Sequence, residues 1–207
     1  MATTTPPAVT DRASLLAEVD GLLHQGSAPL ALALTDLDGF AAINDSYGRD
    51  AGDAVLAAWD RVLAANVPDG GSVVRLGGDE FVVVLPGTSA ENAVVLLEEM
   101  RGHFSSMSIE GVPVALSVSV GIAANPPHGS TAAELWRAAG EALMRAKRDG
   151  RDRVALHVEE KMVLKSNYYS KANLERLAKL SAATDRTEAR LLREALDDLL
   201  YKYRDAL

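Results

Sequence analysis

Two glycines followed by two acidic residues stand between two runs of β-branched residues, and this arrangement constrains the fold more than any other part of the chain. The run Gly77-Gly78-Asp79-Glu80-Phe81 lies between Val73-Val74 and Val82-Val83-Val84-Leu85. The pattern predicts two antiparallel strands joined by a tight turn. Taken alone, such a turn is more often a solvated hairpin tip than a ligand site. Because glycine lets a ligand approach the backbone beside the two carboxylates, the run also fits a nucleotide and metal site.

A second apolar run ends in Asp36 and Asp38 and is followed by a turn. We expect Asp36, at the end of its strand, to face Asp79 and Glu80 across adjacent strands. Carboxylate oxygens with room for water and phosphate suit Mg²⁺ rather than zinc. The sequence contains no cysteine, which leaves no thiolate metal site and no disulfide framework. The backbone amides of residues 39–42, at the start of a helix, would supply donors for a triphosphate.

The spacing of these motifs resembles the GGDEF diguanylate cyclase family over residues 12–158. The resemblance rests on Asp36-x-Asp-x-Phe-x-x-Ile-Asn44-Asp45-x-Tyr-Gly48-x-x-x-Gly52-Asp53, on Arg75-Leu-Gly-Gly-Asp-Glu-Phe81, on Ser119-Val120-Gly121-Ile122-Ala123 and on Ala146-Lys147-Arg148-Asp149-Gly150-Arg151. It implies an enzyme that condenses two GTP molecules into cyclic di-GMP and releases pyrophosphate. It also implies an α/β (α+β) fold with a nucleotidyl-cyclase-like sheet flanked by helices, and strands that alternate with helices along the sequence agree with that class.

The resemblance further implies a catalytic and metal-binding set. Asp36, Asp79, Glu80 and the carbonyl of Leu37 would hold Mg²⁺ or Mn²⁺. Asp79 and Glu80 would be the catalytic residues, with Asp79 as candidate base for the ribose 3′-hydroxyl. Proton transfer to water is the alternative to that role.

Substrate contacts are implied for seven residues. Asn44 and Asp53 match the pair that hydrogen-bonds the guanine edge, and an acid at 53 can accept from guanine N–H groups that adenine lacks, which favours GTP over ATP. Lys147 and Arg151 match a basic pair that contacts phosphate, although a cationic helix end is an ordinary feature too. The full set is Phe40, Asn44, Asp53, Gly77, Gly78, Lys147 and Arg151.

By resemblance each chain supplies one GTP site, so two chains must meet face to face, and we expect a homodimer or a higher even oligomer. Two departures from the family pattern keep a second hypothesis open. Ala41 stands where the family usually has a lysine, and the family's N-terminal signature stretch is absent. The alternative is a transcription regulator whose domain senses GTP or cyclic di-GMP without turnover.

The last part of the chain has a different pattern and a different charge. Residues 161–207 contain ten Lys or Arg and seven Asp or Glu; the whole chain carries −8, so the first 160 residues carry about −11. A short strand, a helix with leucines at 174, 177 and 180, a break at 184–187 and a second leucine-rich helix are too small to hold a core alone. This order resembles a ribbon-helix-helix module, in which two chains pair their strands and can place the ribbon in a DNA major groove.

The candidate DNA contacts lie on the ribbon and at the start of the second helix. Matching the helices to the ribbon-helix-helix family makes Leu164, Ser166 and Tyr168 the groove-facing set. That match leaves polar Lys165 and Asn167 at positions that are usually apolar. The amides at the start of the second helix, with Arg186, Thr187 and Arg190, would hold a phosphate. A tail that only dimerises is the alternative.

We therefore predict a disordered lead over 1–10, a GGDEF domain over 11–158 and a ribbon-helix-helix domain over 159–207. The lead is rich in Thr, Pro and Ala and lacks the order of a signal peptide. The sequence has no apolar run of membrane-spanning length. We expect a cytoplasmic protein with GTP as substrate, cyclic di-GMP as product and DNA as a partner.

Overall fold

A computed structural model of the chain describes residues 12–26, 29–158, 169–184 and 186–203. The chain divides into two compact units, Met1–Glu160 and Lys161–Leu207, and each is described by itself. The elements of the first unit are α1 (Arg12–His24), β1 (Leu30–Leu37), α2 (Phe40–Tyr47), α3 (Arg49–Asn66), β2 (Ser72–Gly77), β3 (Glu80–Pro86), α4 (Ala90–Ser105), β4 (Val118–Asn125), α5 (Ala132–Arg148) and β5 (Val154–Leu156).

Within the described residues, five strands form one mixed sheet in the order β2-β3-β1-β4-β5. The central strand β1 pairs antiparallel with β3 and with β4, and β5 pairs parallel with β4. The β2–β3 hairpin predicted from the glycine run is present, with Val73 opposite Val83 and Gly77 opposite Glu80. The expected α/β sheet flanked by helices is confirmed.

Strand β1 is buried on both faces, which explains its nearly continuous apolar sequence. Its alternate residues enter two cores, because successive side chains of a strand point to opposite sides. Ala31 and Ala33 pack with residues of α3 and α4. Leu30 and Leu32 pack with residues of α1 and α5. The sheet is thus covered by helices on each face, and the carboxyl end of β1 emerges between the two layers.

Trp59 is the largest side chain that is fully buried, and it anchors α3 to the sheet. Its indole nitrogen donates to Thr35 Oγ1 at 3.0 Å, and its ring meets the Phe104 ring edge-on with centroids 5.1 Å apart. Thr35 immediately precedes Asp36. The bond therefore helps to fix the end of β1, where the predicted site lies.

Helix α5 begins with a capping box, in which Thr131 Oγ1 accepts from the Glu134 amide at 3.2 Å and Glu134 accepts from the Thr131 amide at 3.2 Å. Its buried face is mainly alanine, including Ala139, Ala142 and Ala146. These small side chains let the helix lie close to β4. The close packing sets the position of the basic residues in the last turn of α5.

The second unit contains α6 (Lys171–Thr184) and α7 (Glu188–Lys202), separated by the break expected at 184–187. No residue of α6 is buried. The exposed leucines of the two helices are Leu174, Leu180, Leu192, Leu196, Leu199 and Leu200. No helix in the described ranges is long and apolar enough to cross a membrane.

The contact between β4 and α5 predicts a strong difference between two glycine substitutions. A Cβ at Gly121 would overlap the backbone of Ala139 and Leu143, whereas a Cβ at Gly102 in α4 would meet no atom within 4 Å. Gly121→Ala is expected to lower the free energy of unfolding by about 1–3 kcal/mol through overpacking. Gly102→Ala is expected to raise it by up to about 1 kcal/mol.

Urea unfolding of the two variants and the wild type checks this prediction. The two substitutions add the same methyl group, so Gly102→Ala is the matched control. Equal stabilities for the two variants would show that α5 does not pack on β4 as closely as described.

Candidate functional site

The tip of the β2–β3 hairpin is a two-residue turn formed by Gly78 and Asp79. Gly78 has a φ of 55°, a left-handed conformation that suits glycine. The Arg75 guanidinium donates twice to the Gly78 carbonyl oxygen, from Nε at 3.0 Å and from Nη2 at 2.6 Å. The amide of Leu37 donates to the Asp79 carbonyl oxygen at 3.4 Å. These bonds hold the turn against the end of β1.

Asp36 lies at the carboxyl end of β1 and directly opposite Glu80 on β3, as expected from the sequence. Its carboxylate accepts from the Lys147 ammonium, with Oδ2 and Nζ 2.6 Å apart. Burial raises the pKa of Asp36, the bond and charge of Lys147 oppose that rise, and the charges of Asp79 and Glu80 add to it. The site therefore gathers negative charge that needs a cation, and Lys147 supplies one.

The predicted metal ligands fit a hard divalent cation by their chemistry. Asp36, Asp79, Glu80 and the Leu37 carbonyl offer only oxygen atoms, the ligands that Mg²⁺ and Mn²⁺ prefer. As the side chains stand in the described part of the chain, no three His, Asp or Glu groups are gathered closely enough to hold a metal ion. Lys147 already occupies Oδ2 of Asp36, so a cation bound there would compete with it.

A second group of predicted residues lies on α2 and α3. Phe40 is the first residue of α2 and packs partly against the core. Asn44 lies one turn further on, and a Cβ at Gly52 would overlap its side-chain oxygen. Gly52 thus leaves the space that the Asn44 amide occupies. Asp53, the next residue of α3, is exposed to solvent.

Lys147 and Arg151 lie at the end of α5 and just beyond it, and they make different contacts. Lys147 is in the last turn and pairs with Asp36, whereas Arg151 lies beyond the helix, with its Nε 4.0 Å from Oδ1 of Asp38. Both cations are thus near carboxylates at the end of β1. The structure places Asp36 opposite Glu80, pairs Asp36 with Lys147, sets the Asp79 backbone beside Leu37 and puts Arg151 beside Asp38.

Two contributors were not among the predicted site residues. Arg75 braces the glycine turn, and the sequence signal was its position two residues before Gly77. Asp38 has a side chain that is only 5% exposed. In the sequence, Asp38 is marked only by its position two residues after Asp36. That spacing does not reveal which groups its carboxylate contacts.

The predicted DNA contacts fall in the second unit or outside the described residues. Leu164, Ser166 and Tyr168 lie outside them, as does the side chain of Arg190. Arg186 is described, and its guanidinium donates to both carboxylate oxygens of Glu194, at 2.8 and 3.1 Å. The Thr187 carbonyl accepts from Leu191 in the first turn of α7. Arg186 therefore already has an anionic partner within its own unit.

The profile of the family described as "Diguanylate cyclase, GGDEF domain" matches residues 8–153, well over half of the chain. Among characterised proteins, the chain is similar to diguanylate cyclase DgcM of Escherichia coli strain K12, with 43% identity over 124 residues. That match takes in 60% of this chain and 30% of DgcM. The chain thus spans about a third of the length of the relative that it matches.

Solved structures agree on the fold. The active GGEEF domain of a diguanylate cyclase from Vibrio cholerae is 28% identical with a TM-score of 0.67, covering 72% of this chain and 98% of that one. The GGDEF domain of DgcB from Caulobacter crescentus, in complex with c-di-GMP, is 28% identical with a TM-score of 0.65, covering 76% and 97%. The match therefore takes in nearly the whole of each of these domains.

The raised pKa of Asp36 predicts how stability depends on pH. The folded state binds this proton more tightly than the unfolded chain, so the associated stability is fully present below the ordinary value of 3.8 and is lost as pH rises through the folded pKa. Asp36→Asn, which cannot ionise, should raise the free energy of unfolding at pH 7. The gain should shrink towards zero below about pH 4.

Urea unfolding between pH 3 and pH 8, in the presence of EDTA, measures the difference. Asp60→Asn, at an exposed position of α3, is the control for loss of one negative charge. An Asp36→Asn variant that is less stable than wild type at pH 7 would show that the bond to Lys147 outweighs burial.

Proposed function

Because the chain belongs to the family of diguanylate cyclase GGDEF domains, we propose that it is a diguanylate cyclase that condenses two GTP molecules into cyclic di-GMP. The observation that carries this proposal is the strand pairing that puts Asp36 opposite Glu80 and beside the glycine turn, with Lys147 bound to Asp36. Support comes from DgcM, which is named as a diguanylate cyclase, and from the Vibrio cholerae domain, which is described as active.

In each half of the reaction the ribose 3′-oxygen of one GTP attacks the α-phosphorus of the other. A new phosphoester bond forms, the bond from that phosphorus to the bridging oxygen breaks, and pyrophosphate leaves with the electron pair. The same step in the opposite direction closes the ring. Enzymes assist such transfers mainly by positioning the reactants and neutralising charge.

Asp79 is the candidate acceptor of the 3′-hydroxyl proton, directly or through water. It lies at the glycine turn, where no bulky side chain separates the backbone from a ligand. Its partial burial and the brace from Arg75 hold it in place. Glu80, directly opposite Asp36, completes the catalytic pair.

Asp36, Asp79, Glu80 and the Leu37 carbonyl would hold Mg²⁺ or Mn²⁺. When bound, such an ion neutralises phosphate charge and makes a 3′-hydroxyl easier to deprotonate. In this proposal Lys147 leaves Asp36 and contacts phosphate, together with Arg151. The exchange keeps the charges of the cluster balanced at each stage.

Guanine recognition is assigned to Asn44 and Asp53. The Asn44 amide occupies the space left by Gly52, and the exposed Asp53 carboxylate can accept from guanine N–H groups. Phe40, Gly77 and Gly78 would complete the substrate contacts. Because adenine lacks those donors, GTP is the preferred substrate.

A non-catalytic sensor of GTP or cyclic di-GMP is the second candidate. It is favoured by Ala41, which is exposed in the first turn of α2 where the family usually has a lysine. The DgcB domain, whose structure contains c-di-GMP, fits binding of that nucleotide but does not separate a sensor from an enzyme that holds its product. The retained acidic cluster favours catalysis instead, because a sensor would not need it.

For the reaction, we propose a homodimer or a higher even oligomer, because each chain supplies one GTP site. We propose that the second unit is a ribbon-helix-helix domain, which brings two chains together and binds DNA. Its exposed leucines on α6 and α7 are a surface that a second copy would cover. Its net positive charge fits a polyanionic partner.

Replacing Asp79 tests the catalytic assignment. Asp79→Ala is expected to lower the rate of cyclic di-GMP formation by roughly 10²–10⁴-fold, the usual contribution of a general base. Chromatography of reactions with GTP and Mg²⁺ or Mn²⁺ measures the product. Asp69→Ala, an exposed carboxylate before β2, should retain the wild-type rate.

Two results would contradict this account. Equal rates for Asp79→Ala and wild type would remove Asp79 from catalysis. Wild-type protein that binds GTP or cyclic di-GMP but forms no product would identify the sensor.

Salt-dependent binding to a labelled mixed-sequence DNA duplex tests the role of the second unit. Arg186→Ala should weaken binding and lower the salt slope by about 1, as expected for one lost phosphate contact. Glu194→Gln removes the carboxylate that holds Arg186 and should strengthen binding. No measurable affinity at low salt would leave a tail that only dimerises.

A further inference from the structure

The segment that follows α5 has an unusual backbone. Arg151 and Asp152 are consecutive non-glycine residues in the left-handed region, with φ values of 64° and 46°. Such residues are uncommon and persist only where surrounding contacts hold them. Arg151 is the second of the two proposed phosphate contacts. The contacts that hold this segment therefore influence the direction of the Arg151 side chain.

The inner support of the segment is Asp38. Its Oδ2 accepts from the Asp152 amide at 3.0 Å, and its Oδ1 accepts from Ser119 Oγ at 2.7 Å. Oδ1 also lies 4.0 Å from Nε of Arg151. The Asp38 amide in turn donates to the Ser117 carbonyl oxygen at 3.0 Å. Asp38 thus links the segment to β4.

The outer support comes from α4. Oδ1 of Asp152 accepts from Arg101 Nη1 at 2.8 Å and from Ser105 Oγ at 3.3 Å. Arg101 is itself held by Glu98 at 2.7 Å, and the other oxygen of Glu98 accepts from the Val154 amide at 3.2 Å. Asp152 is therefore held by its backbone on one side and by its carboxylate on the other.

The two carboxylates at the end of β1 consequently differ in role. The Asp36 side chain is 13% exposed and meets a cation, whereas the Asp38 side chain is 5% exposed and has a hydrogen-bond donor on each oxygen. Both oxygens of Asp38 thus already accept hydrogen bonds from the protein, and little of the side chain is exposed to a ligand.

We propose that Asp38 is a positioning residue that holds the left-handed segment and so directs Arg151 towards the phosphates of the substrate. The inference rests on the proposed function, in which Arg151 contacts the triphosphate. Asp38 acts through the Asp152 amide and the Arg151 guanidinium, and it touches neither substrate nor metal. The Arg101–Asp152 ion pair is the outer half of the same support.

Binding to two nucleotides by the full chain tests this inference. Asp38→Asn keeps the size of the side chain but loses its charge and one acceptor. Affinity for GTP with Mg²⁺ should fall about 10- to 100-fold, the scale of one lost hydrogen bond between charged groups. Affinity for guanosine, which has no phosphates, should stay within about twofold, since the guanine contacts lie on α2 and α3. Asp60→Asn should change neither affinity.

A double-mutant cycle with Arg151→Met tests the path of the effect. If Asp38 acts through Arg151, the double variant should bind GTP no more weakly than Arg151→Met alone. Arg101→Met, which breaks only the outer support, should give the same selective loss on a smaller scale. Arg101→Met also tests the inference if the Asp38→Asn variant does not fold.

Several results would overturn the inference. Equal losses for GTP and guanosine would indicate general disruption, and unchanged GTP affinity would remove Asp38 from positioning. Additive losses in the double variant would separate Asp38 from Arg151. Wild-type protein that binds neither nucleotide would instead overturn the proposed function itself, so the two failures are distinguishable.

Discussion

The antiparallel pairing of β1 with β3 is the constraint on which the site depends. It places the carboxyl end of one strand beside the tip of a hairpin, so that Asp36 lies opposite Glu80 and the Leu37 amide reaches the turn. Burial makes charge on Asp36 unfavourable there, and the charges of Asp79 and Glu80 add to that effect. The last turn of α5 provides a cation there, Lys147, which pairs with Asp36. The packing of α5 on β4 is therefore part of the site's electrostatics.

A trade between stability and function follows from this arrangement. Keeping Asp36 ionised lowers the stability of the folded state. The burial of β1 on both faces of the sheet offsets that loss. Functional sites commonly retain such groups although they destabilise the fold. The proposed exchange of Lys147 for a metal ion at Asp36 would use the same charge balance. It would also release a cation for phosphate at the moment when substrate and metal arrive together.

The sequence predicted those parts of the fold that depend on local patterns. The glycine turn, the strand-end position of Asp36 and its place opposite Glu80 follow from β-branched runs and from turn chemistry, and they are present. The ion pair of Lys147 with Asp36 could not be predicted, because it depends on how closely an alanine-rich helix approaches β4. The contacts of Asp38 with the Asp152 amide and Ser119 join residues far apart in the chain. No spacing rule encodes them.

The second unit shows the same limit. The leucine spacing predicted α6, α7 and the break between them, but not that Arg186, within the break, pairs with Glu194 of α7. The ribbon at 161–168 lies outside the described residues, so its pairing and the DNA contacts stay predictions. For this unit the sequence pattern supports helices and an apolar surface, and the partner of that surface is a proposal.

The most direct measurement is a competition between nucleotides in one reaction. The full chain is incubated with equal amounts of GTP and ATP and with Mg²⁺, and the cyclic dinucleotides and pyrophosphate are quantified by mass spectrometry and a coupled assay. We predict cyclic di-GMP with two pyrophosphates for each molecule formed, while ATP is left unchanged. GTP that stays intact, or consumption of ATP at the same rate, would contradict it.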